Sequence, residues 1–177
     1  MFELRPLDPE RYRRDTRRIA FALIAVFLVL AMLLSTLAVR LFGEPGGDNF
    51  RWNLIGVLAG LAATAAVVRL KLWSTPWMAP AVYGWQLKRN LMRVTNVMHG
   101  VKAGVAARDA DALKLLRFYH LGVMQMHQLD GNPADSALVR EIDAHQALMD
   151  AQGIAPQQTR LDPEWLDAVR RHLPSGR

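Results

Sequence analysis

The amino-acid sequence predicts an all-α protein, built from a two-helix transmembrane hairpin and a cytoplasmic helical bundle of about four helices. Two long apolar runs without charge, separated by a short polar segment, predict the hairpin. Apolar residues that recur at spacings of three and four predict the bundle. The 177 residues then divide into an arginine-rich N-terminal helix (1–18), the hairpin (19–72, with spans at about 19–39 and 52–70) and an interfacial elbow with the helical domain (73–177).

The first span lies between Arg18 and Arg40, where 21 consecutive residues carry no charge. At about 1.5 Å per residue, a helix of that length crosses the roughly 30 Å hydrocarbon core of a bilayer. Upstream, residues 7–10 (LDPE) predict a helix that begins near Asp8 and continues into the membrane. A cleaved signal peptide is the alternative interpretation, but the apolar run exceeds the usual length of about 7–15 residues and four acids precede it.

The second span, residues 52–68, is shorter and is richer in alanine and glycine than in leucine. Alone it would insert weakly, so we expect it to enter the membrane as the second arm of a hairpin. Both arms should be helical, because a helix satisfies its own backbone hydrogen bonds in lipid. The intervening EPGGDN supplies a tight turn, in which glycine permits positive φ and Asp48 or Asn49 can hydrogen-bond to nearby backbone.

The distribution of positive charge predicts the orientation of the hairpin. Arginine and lysine are concentrated before the first span and after the second, whereas the turn has only Arg40 and Arg51. By the positive-inside rule, both termini are cytoplasmic and the turn lies outside the inner membrane of a bacterium. The net charge of +6 is therefore explained first by membrane topology. Residues 109–177 hold ten acids against seven basic residues, so no nucleic-acid partner is expected.

Small residues recur on both spans: Gly56, Gly60 and Thr64 on the second, and Ala31 and Ser35 on the first. Small residues let helix backbones approach closely in lipid, so we expect the two strips to pack within one hairpin. The alternative is that Gly56 and Gly60 form a contact in a homo-oligomer. No charged residue lies within the uncharged runs 19–39 and 52–68, which argues against a pump or a proton-coupled carrier.

The segment after the second span predicts an elbow on the membrane surface, because tryptophan and tyrosine favour the headgroup region. Pro76 and Pro80 are expected to break regular helix there. An aromatic partner-binding patch is the alternative interpretation. The residues assigned to the membrane interface are Arg18, Arg69, Lys71, Trp73 and Trp77, with Tyr83 and Trp85 following them.

Four helices are expected beyond the elbow. The first, from about residue 80 to residue 108, carries one apolar stripe; its Lys88, Arg89 and Arg93 lie off the stripe, where they can attract anionic lipid headgroups at roughly 1 kcal/mol each. The second covers residues 109–129 and is apolar around most of its circumference.

The third helix is expected to begin with Asn132 as N-cap and Pro133 as its first residue, and to run to about Gln152. The fourth begins at a second LDPE, residues 161–164, with Asp162 as its cap. Its apolar side consists of Trp165, Leu166, Val169 and Leu173.

Histidines are the only residues whose positions suggest a ligand-binding or metal-binding site. His120 and His127 lie seven residues apart on one face of the second helix, and Glu141 and His145, four apart on the third, could face the same space. A carboxylate and an imidazole at that spacing can share a metal, which makes these four residues a speculative ligand or metal site. No His-Glu-x-x-His pattern is present, and histidines on an apolar face are more often hydrogen-bonded packing residues; a protonation-sensitive packing switch is a further alternative. No catalytic residue and no cofactor are predicted.

Six stretches of the chain carry a resemblance: LDPERYRRDTRR, MLLSTLAVRLFGEPGGDNFRWN, WMAPAVYGWQLKRNLMRVTNVMH, LLRFYHLG, MHQLDGN and REIDAH. Together the sequence resembles a family of uncharacterised small inner-membrane proteins of proteobacteria, classed as a domain of unknown function. The resemblance covers nearly the whole chain. It implies two spans and a bacterial host, and it implies no activity, substrate or catalytic residue.

These observations favour a non-enzymatic protein of the inner membrane. We expect a scaffold or adaptor that contacts membrane lipids and docks a protein partner or a second copy of itself. A membrane-anchored ligand or metal sensor that uses His120 and His127 is one alternative. A small oligomeric pore is another; two spans without a polar lining disfavour it, although Ser35 and Thr64 offer hydroxyl groups.

Overall fold

The computed structural model describes residues 1–133 and 135–172, and it confirms the all-α class. Its residues form two compact units: Met1–Arg13 with Tyr83–Arg177, called here the helical unit, and Arg14–Val82, called the hairpin unit. Two-residue strands, β1 (Phe2–Glu3) and β2 (Arg160–Leu161), pair antiparallel. The α-helices are α1 (Pro9–Phe42), α2 (Phe50–Val67), α3 (Ala79–Thr95), α4 (Met98–Ala106), α5 (Ala110–Asp130), α6 (Ser136–Ala151) and α7 (Pro163–Arg170).

The two helices of the hairpin unit are long and apolar enough to cross a membrane. Only 6% of the most apolar stretch of α1 and 17% of that of α2 are buried, so most of their apolar side chains point outward, as they do in helices surrounded by lipid. Helix α1 begins at Pro9, and the carboxylate of Asp8 accepts a 2.8 Å hydrogen bond from the Arg11 amide, as the first LDPE predicts. The first eight residues of the predicted N-terminal helix 1–18 therefore lie outside the helix.

The polar turn between α1 and α2 is held by Asn49 and Asp48. The amide of Glu44 donates to the Asn49 side-chain oxygen (3.0 Å), and the Asn49 side-chain nitrogen donates back to the Glu44 carbonyl (3.0 Å). Asp48 accepts from the Phe50 amide (2.9 Å), and Gly46 adopts φ +75°. The predicted tight turn is thus confirmed, with each side chain bonding to local backbone.

Helix α2 continues into a π-helical turn (Val68–Leu72), and a 3₁₀ turn (Pro76–Met78) then precedes α3. The break that the elbow requires falls at Pro76. The prediction that Pro80 also breaks the helix is wrong. Pro80 is the second residue of α3, where a backbone N–H has no intrahelical partner and its loss costs nothing.

The predicted continuous helix 80–108 is also wrong, because it is interrupted between Thr95 and Met98. The Val97 amide bonds to the carbonyl of Val94, three residues back, which tightens and ends α3. Within residues 1–133 and 135–172, the helical unit has five helices, α3 to α7, where about four were predicted. The apolar stripe itself is buried on both sides of the break, at Tyr83, Leu87, Leu91, Val94 and Val101.

Tyr83, which follows the predicted interfacial residues and also begins the apolar stripe of the first predicted helix, lies on the buried stripe. Its side chain is buried in the helical unit, where the hydroxyl donates a 2.6 Å hydrogen bond to the side-chain oxygen of Gln125 and accepts one from the Arg5 amide. Gln125 in turn donates to the Arg5 carbonyl. A tyrosine at the start of a helix can pack in a core or lie at an interface, and here the four-residue spacing from Tyr83 to Leu87 and Leu91 places it in the core.

Helix α5 (Ala110–Asp130) closely matches the predicted helix 109–129, with Asp109 as its N-cap and Gly131 (φ +76°) as its C-cap. The predicted cap of the third helix at Asn132 and Pro133 is wrong: α6 begins at Ser136, capped by Asp135. The amide of Asn132 bonds to the His127 carbonyl (2.9 Å), so this residue completes the C-terminal cap of α5 and is not available to start α6.

The second LDPE starts α7 as predicted, and Asp162 accepts from the Glu164 amide (3.0 Å). Leu166 and Val169 are buried in the core of the helical unit, whereas Leu173 lies outside the described residues. The strand pair β1–β2 was not predicted. It brings the aromatic ring of Phe2 against both buried apolar clusters of the helical unit, including an edge-on contact with Phe118.

Candidate functional site

The polar groups that sequence analysis singled out meet in the interior of the helical unit, between α5 and α6. His120 on α5 and His145 on α6 are buried, and their rings lie perpendicular with centroids 5.2 Å apart. Glu141, one helical turn before His145, places a carboxylate oxygen 3.8 Å from the His120 Nε2 atom. The structure therefore brings three of the four predicted residues together.

Arg117 completes this buried polar cluster, and sequence analysis did not name it. Its guanidinium donates to the Pro156 carbonyl (2.9 Å) and to the Gln146 side-chain oxygen (2.8 Å), so one side chain of α5 holds both α6 and the loop that follows α6. The signal in the sequence was an arginine between Leu116 and Phe118 on a helix that is apolar around most of its circumference. An arginine there must find partners, because burying an unpaired charge is costly.

Two polar atoms of the cluster have no hydrogen-bond partner among the described residues: the Nη1 atom of Arg117 and the Nδ1 atom of His120. Burial lowers the pKa of the Arg117 side chain, an effect opposed by the carboxylates of Asp150 and Asp143. Burial also lowers the pKa of His120 to about 4, with His145 and Arg117 as further causes. At neutral pH His120 is therefore an uncharged imidazole beside a cation, and its contact with Glu141 is not an ion pair.

His145 has a structural partner. Its Nε2 atom lies 3.0 Å from the Leu113 carbonyl, and because a carbonyl only accepts, the proton of the neutral ring is on Nε2. Burial lowers the pKa of His145, the hydrogen bond to Leu113 opposes that shift, and Arg117 reinforces it. Both histidines of the cluster are thus held in the neutral form.

His127, the fourth predicted residue, belongs to a different environment. Its ring nitrogen lies 3.3 Å from the Pro133 carbonyl at the end of α5, and the side chain is only half-buried. Among residues 1–133 and 135–172, no group of three or more histidine, aspartate or glutamate side chains is arranged to hold a metal ion. The hypothesis that His120 and His127 share one site is therefore not supported by their positions.

The five small residues assigned to helix packing lie between α1 and α2 of the hairpin unit. A Cβ atom added to Gly60 would lie 2.7 Å from the Cα atom of Ala31, and one added to Gly56 would overlap the backbone of Ser35. The Ser35 hydroxyl donates to Asn53 (2.7 Å), and the Thr64 hydroxyl donates to the Gly60 carbonyl (2.8 Å). These glycines are covered by the other arm of their own hairpin.

The residues assigned to the membrane interface are mostly exposed. Arg18, Arg69 and Lys71 are exposed, Trp77 is 46% exposed, and Trp73 is partly buried with the Arg69 guanidinium 5.6 Å from its ring centroid. An arginine over the face of a tryptophan keeps its charge available to anions while covering apolar surface.

The helical unit also has a cleft that sequence analysis missed. It lies beside α3 and the strand pair β1–β2, has a volume of about 340 Å³ and is lined by both cationic and apolar side chains. The basic residues of α3 were noted in the sequence. Their neighbours across the cleft come from the two ends of the chain, and the sequence has no local signal for that pairing.

The comparison with protein families gives one result. A family model described as "Protein of unknown function (DUF3087)" matches residues 2–166. The chain belongs to this family. No curated protein and no solved structure matches the chain.

The DUF3087 match extends from β1 into α7. It therefore includes the hairpin unit, the buried polar cluster of Arg117, His120 and His145, and the cleft beside α3. The family is described as one of unknown function, so membership assigns no activity to the chain.

Proposed function

We propose that this protein is a non-enzymatic scaffold of the bacterial inner membrane, with both termini in the cytoplasm, whose helical unit docks a protein partner. One observation carries the proposal: the buried polar residues act as cross-links. Arg117 joins α5 to α6 and to the Pro156 carbonyl, and His145 joins α6 to the Leu113 carbonyl. Residues committed to holding helices together support a rigid binding module.

The hairpin unit supports the membrane location. Few residues in the most apolar stretches of its two helices are buried (6% and 17%), and apolar surface exposed to water would cost roughly 25 cal/mol for each Å². The concentration of arginine in the first ten residues of α1 (Arg11 to Arg18) and after α2 supports the proposed orientation.

Introduced cysteines test the location and orientation, because the chain has none of its own. Asp48→Cys, in the turn, should react with a membrane-impermeant maleimide on intact spheroplasts. Ala137→Cys, on the exposed start of α6, should react only after lysis. The opposite labelling pattern, or release of the protein by alkaline carbonate, would refute the proposal.

Docking is tested by a photo-crosslinking amino acid placed at Val139 or at Asp143, two exposed positions one turn apart on α6. We expect a discrete protein adduct in living cells from at least one of them. Phe21, exposed on the apolar part of α1, is the matched control and should give only lipid adducts. If the positions on α6 and Phe21 give the same set of adducts, the helical unit has no partner on this face of α6, which contradicts the proposed docking.

A ligand or metal sensor is the second candidate, and the unpartnered Nδ1 atom of His120 favours it. On this hypothesis, Zn²⁺ stabilises the purified protein against heat, and His120→Leu abolishes the effect. His127→Leu is the matched control, because His127 lies at the other end of α5 beside Pro133 and should not alter it.

A further inference from the structure

The cleft beside α3 is a concave site with two contrasting walls. Its volume of about 340 Å³ falls at the lower end of the range for small-molecule pockets, about 300–1,000 Å³. All of its lining residues belong to the helical unit. They are Met1, Phe2, Trp85, Gln86, Arg89, Asn90, Arg93, Leu161 and Pro163.

One wall is cationic. Arg89 and Arg93 are four residues apart on α3, which places them on the same face of the helix. The Arg89 guanidinium lies 4.9 Å from the ring centroid of Trp85, and Arg93 donates a 3.2 Å hydrogen bond to the Asn90 side chain. Both arginines are exposed, and neither forms an ion pair with a carboxylate within the described parts of the chain.

The chemistry of this wall favours a phosphate group. All the charged side chains that line the cleft are guanidinium groups, whose planar donors match two oxygens of a phosphate at once. The amide side chains of Gln86 and Asn90 add neutral hydrogen-bonding groups beside them.

The opposite wall is apolar and rigid. Phe2 is fixed by the strand pair and packs on both buried clusters, Leu161 is only 2% exposed, and Pro163 is held at the start of α7. A ligand that fills this cleft therefore has an anionic end and an apolar body. Trp85, 47% exposed on α3 beside Arg89, adds an aromatic surface to the cationic wall.

We propose that this cleft binds the phosphate and the adjoining acyl-chain carbons of an anionic phospholipid, with Arg89 and Arg93 on the phosphate and Phe2 and Pro163 against the acyl chain. The inference rests on the proposed membrane location, which supplies such lipids. Trp85 follows the end of the second apolar helix, Leu72, by thirteen residues. A free phosphate ester would use the arginines but leave the apolar wall empty, and a phospholipid uses both.

The test uses the full chain in a neutral detergent, with dihexanoyl phosphatidylglycerol as the probe and dihexanoyl phosphatidylcholine as its zwitterionic counterpart. We expect saturable thermal stabilisation by the anionic lipid that weakens with added NaCl, and little by the zwitterionic lipid. Arg89→Gln with Arg93→Gln should weaken binding on the order of thirtyfold, since each arginine contributes about 1 kcal/mol to the attraction.

The matched control is Lys102→Gln with Arg140→Gln, which removes the same two charges from exposed positions outside the cleft. It should bind the anionic lipid as the unaltered protein does. Equal weakening in both double variants would show adsorption by net charge, and it would overturn the proposal.

Two further probes distinguish other occupants. Equal stabilisation by glycerol 3-phosphate would assign the cleft to a soluble phosphate ester, and equal stabilisation by poly-glutamate would assign it to an acidic protein segment; either result overturns the lipid assignment. Alkaline carbonate extraction of the same variants separates this inference from the proposed function. A protein that stays in the membrane yet shows no lipid preference refutes the cleft alone.

Discussion

The Nε2 atom of His145 on α6 donates a 3.0 Å hydrogen bond to the main-chain carbonyl of Leu113 on α5, with both groups buried. This bond connects two helices through a group that can also take up a proton. Burial lowers the pKa of His145 and the charge of the neighbouring Arg117 lowers it further, so both favour the neutral ring. His145 and His120 therefore make the stability of the helical unit depend on pH.

Acid should destabilise the helical unit in a defined range. In the unfolded chain His120 titrates near pH 6.5, and in the folded protein its pKa is about 4. Between these pH values the unfolded state binds more protons than the folded state. The contribution of His120 to the free energy of unfolding is therefore complete above about pH 6.5 and is lost as the pH falls toward 4. The loss reaches about 3 kcal/mol, since each pKa unit corresponds to 1.36 kcal/mol.

Thermal unfolding followed by circular dichroism between pH 4 and pH 8 measures this dependence. In His120→Leu the midpoint temperature of unfolding should depend clearly less steeply on pH. His99→Leu removes an exposed histidine and should leave the slope unchanged. An unaltered slope in His120→Leu would contradict the assignment of the low pKa to this residue.

Loss of the bond from His145 should loosen α6. His145→Leu keeps the volume apolar and removes the donor to the Leu113 carbonyl, so we expect the free energy of unfolding to fall by about 1 kcal/mol. Amide hydrogen exchange should rise within α6 before it rises elsewhere. Uniform acceleration across α5 and α6 would show that the bond does not hold α6 in particular.

Arg117→Met should release the loop after α6. The substitution removes both donors, to Pro156 and to Gln146, while the methionine fills part of the space, and we expect a destabilisation of about 2 kcal/mol. Hydrogen exchange at residues 152–159 reports the release. Arg140→Met, at an exposed position on α6, is the matched control, and an equal effect there would contradict a specific role for Arg117.

Gly60→Leu should separate the two arms of the hairpin, because even a Cβ atom at this position meets the Ala31 backbone at 2.7 Å. The pair Ser35→Cys and Asn53→Cys, whose native side chains touch at 2.7 Å, reports the separation by loss of disulfide formation. Ala62→Leu, exposed on the same helix, should leave the disulfide intact. If the cysteines at positions 35 and 53 still form the disulfide fully in the Gly60→Leu variant, the glycine contact does not hold the two arms together.

The sequence predicted those features whose signals are local. Asp8 and Asp162 each precede proline and glutamate, and both cap a helix; Asp48 and Asn49 close the turn; Gly131 ends α5. In each case a side chain bonds to backbone within a few residues, so the pattern and the structure are set by the same short segment.

The errors arose where distant residues decide. Nothing in the sequence around Asn96 and Val97 marks a break, because the apolar stripe continues through it into α4. Arg117 and the cleft were missed for the same reason: the partners of Arg117 lie at Gln146 and Pro156, and the apolar wall of the cleft is made by Phe2 and Leu161. Their proximity is a result of the tertiary fold.

The pairing of Phe2 with Leu161 sets an order of events during biosynthesis. Both apolar helices precede residue 161 in the chain, so both are synthesised before β1 can pair with β2. The helical unit therefore closes only after residue 161 has emerged from the ribosome, and until then Phe2 lacks part of the core against which it packs.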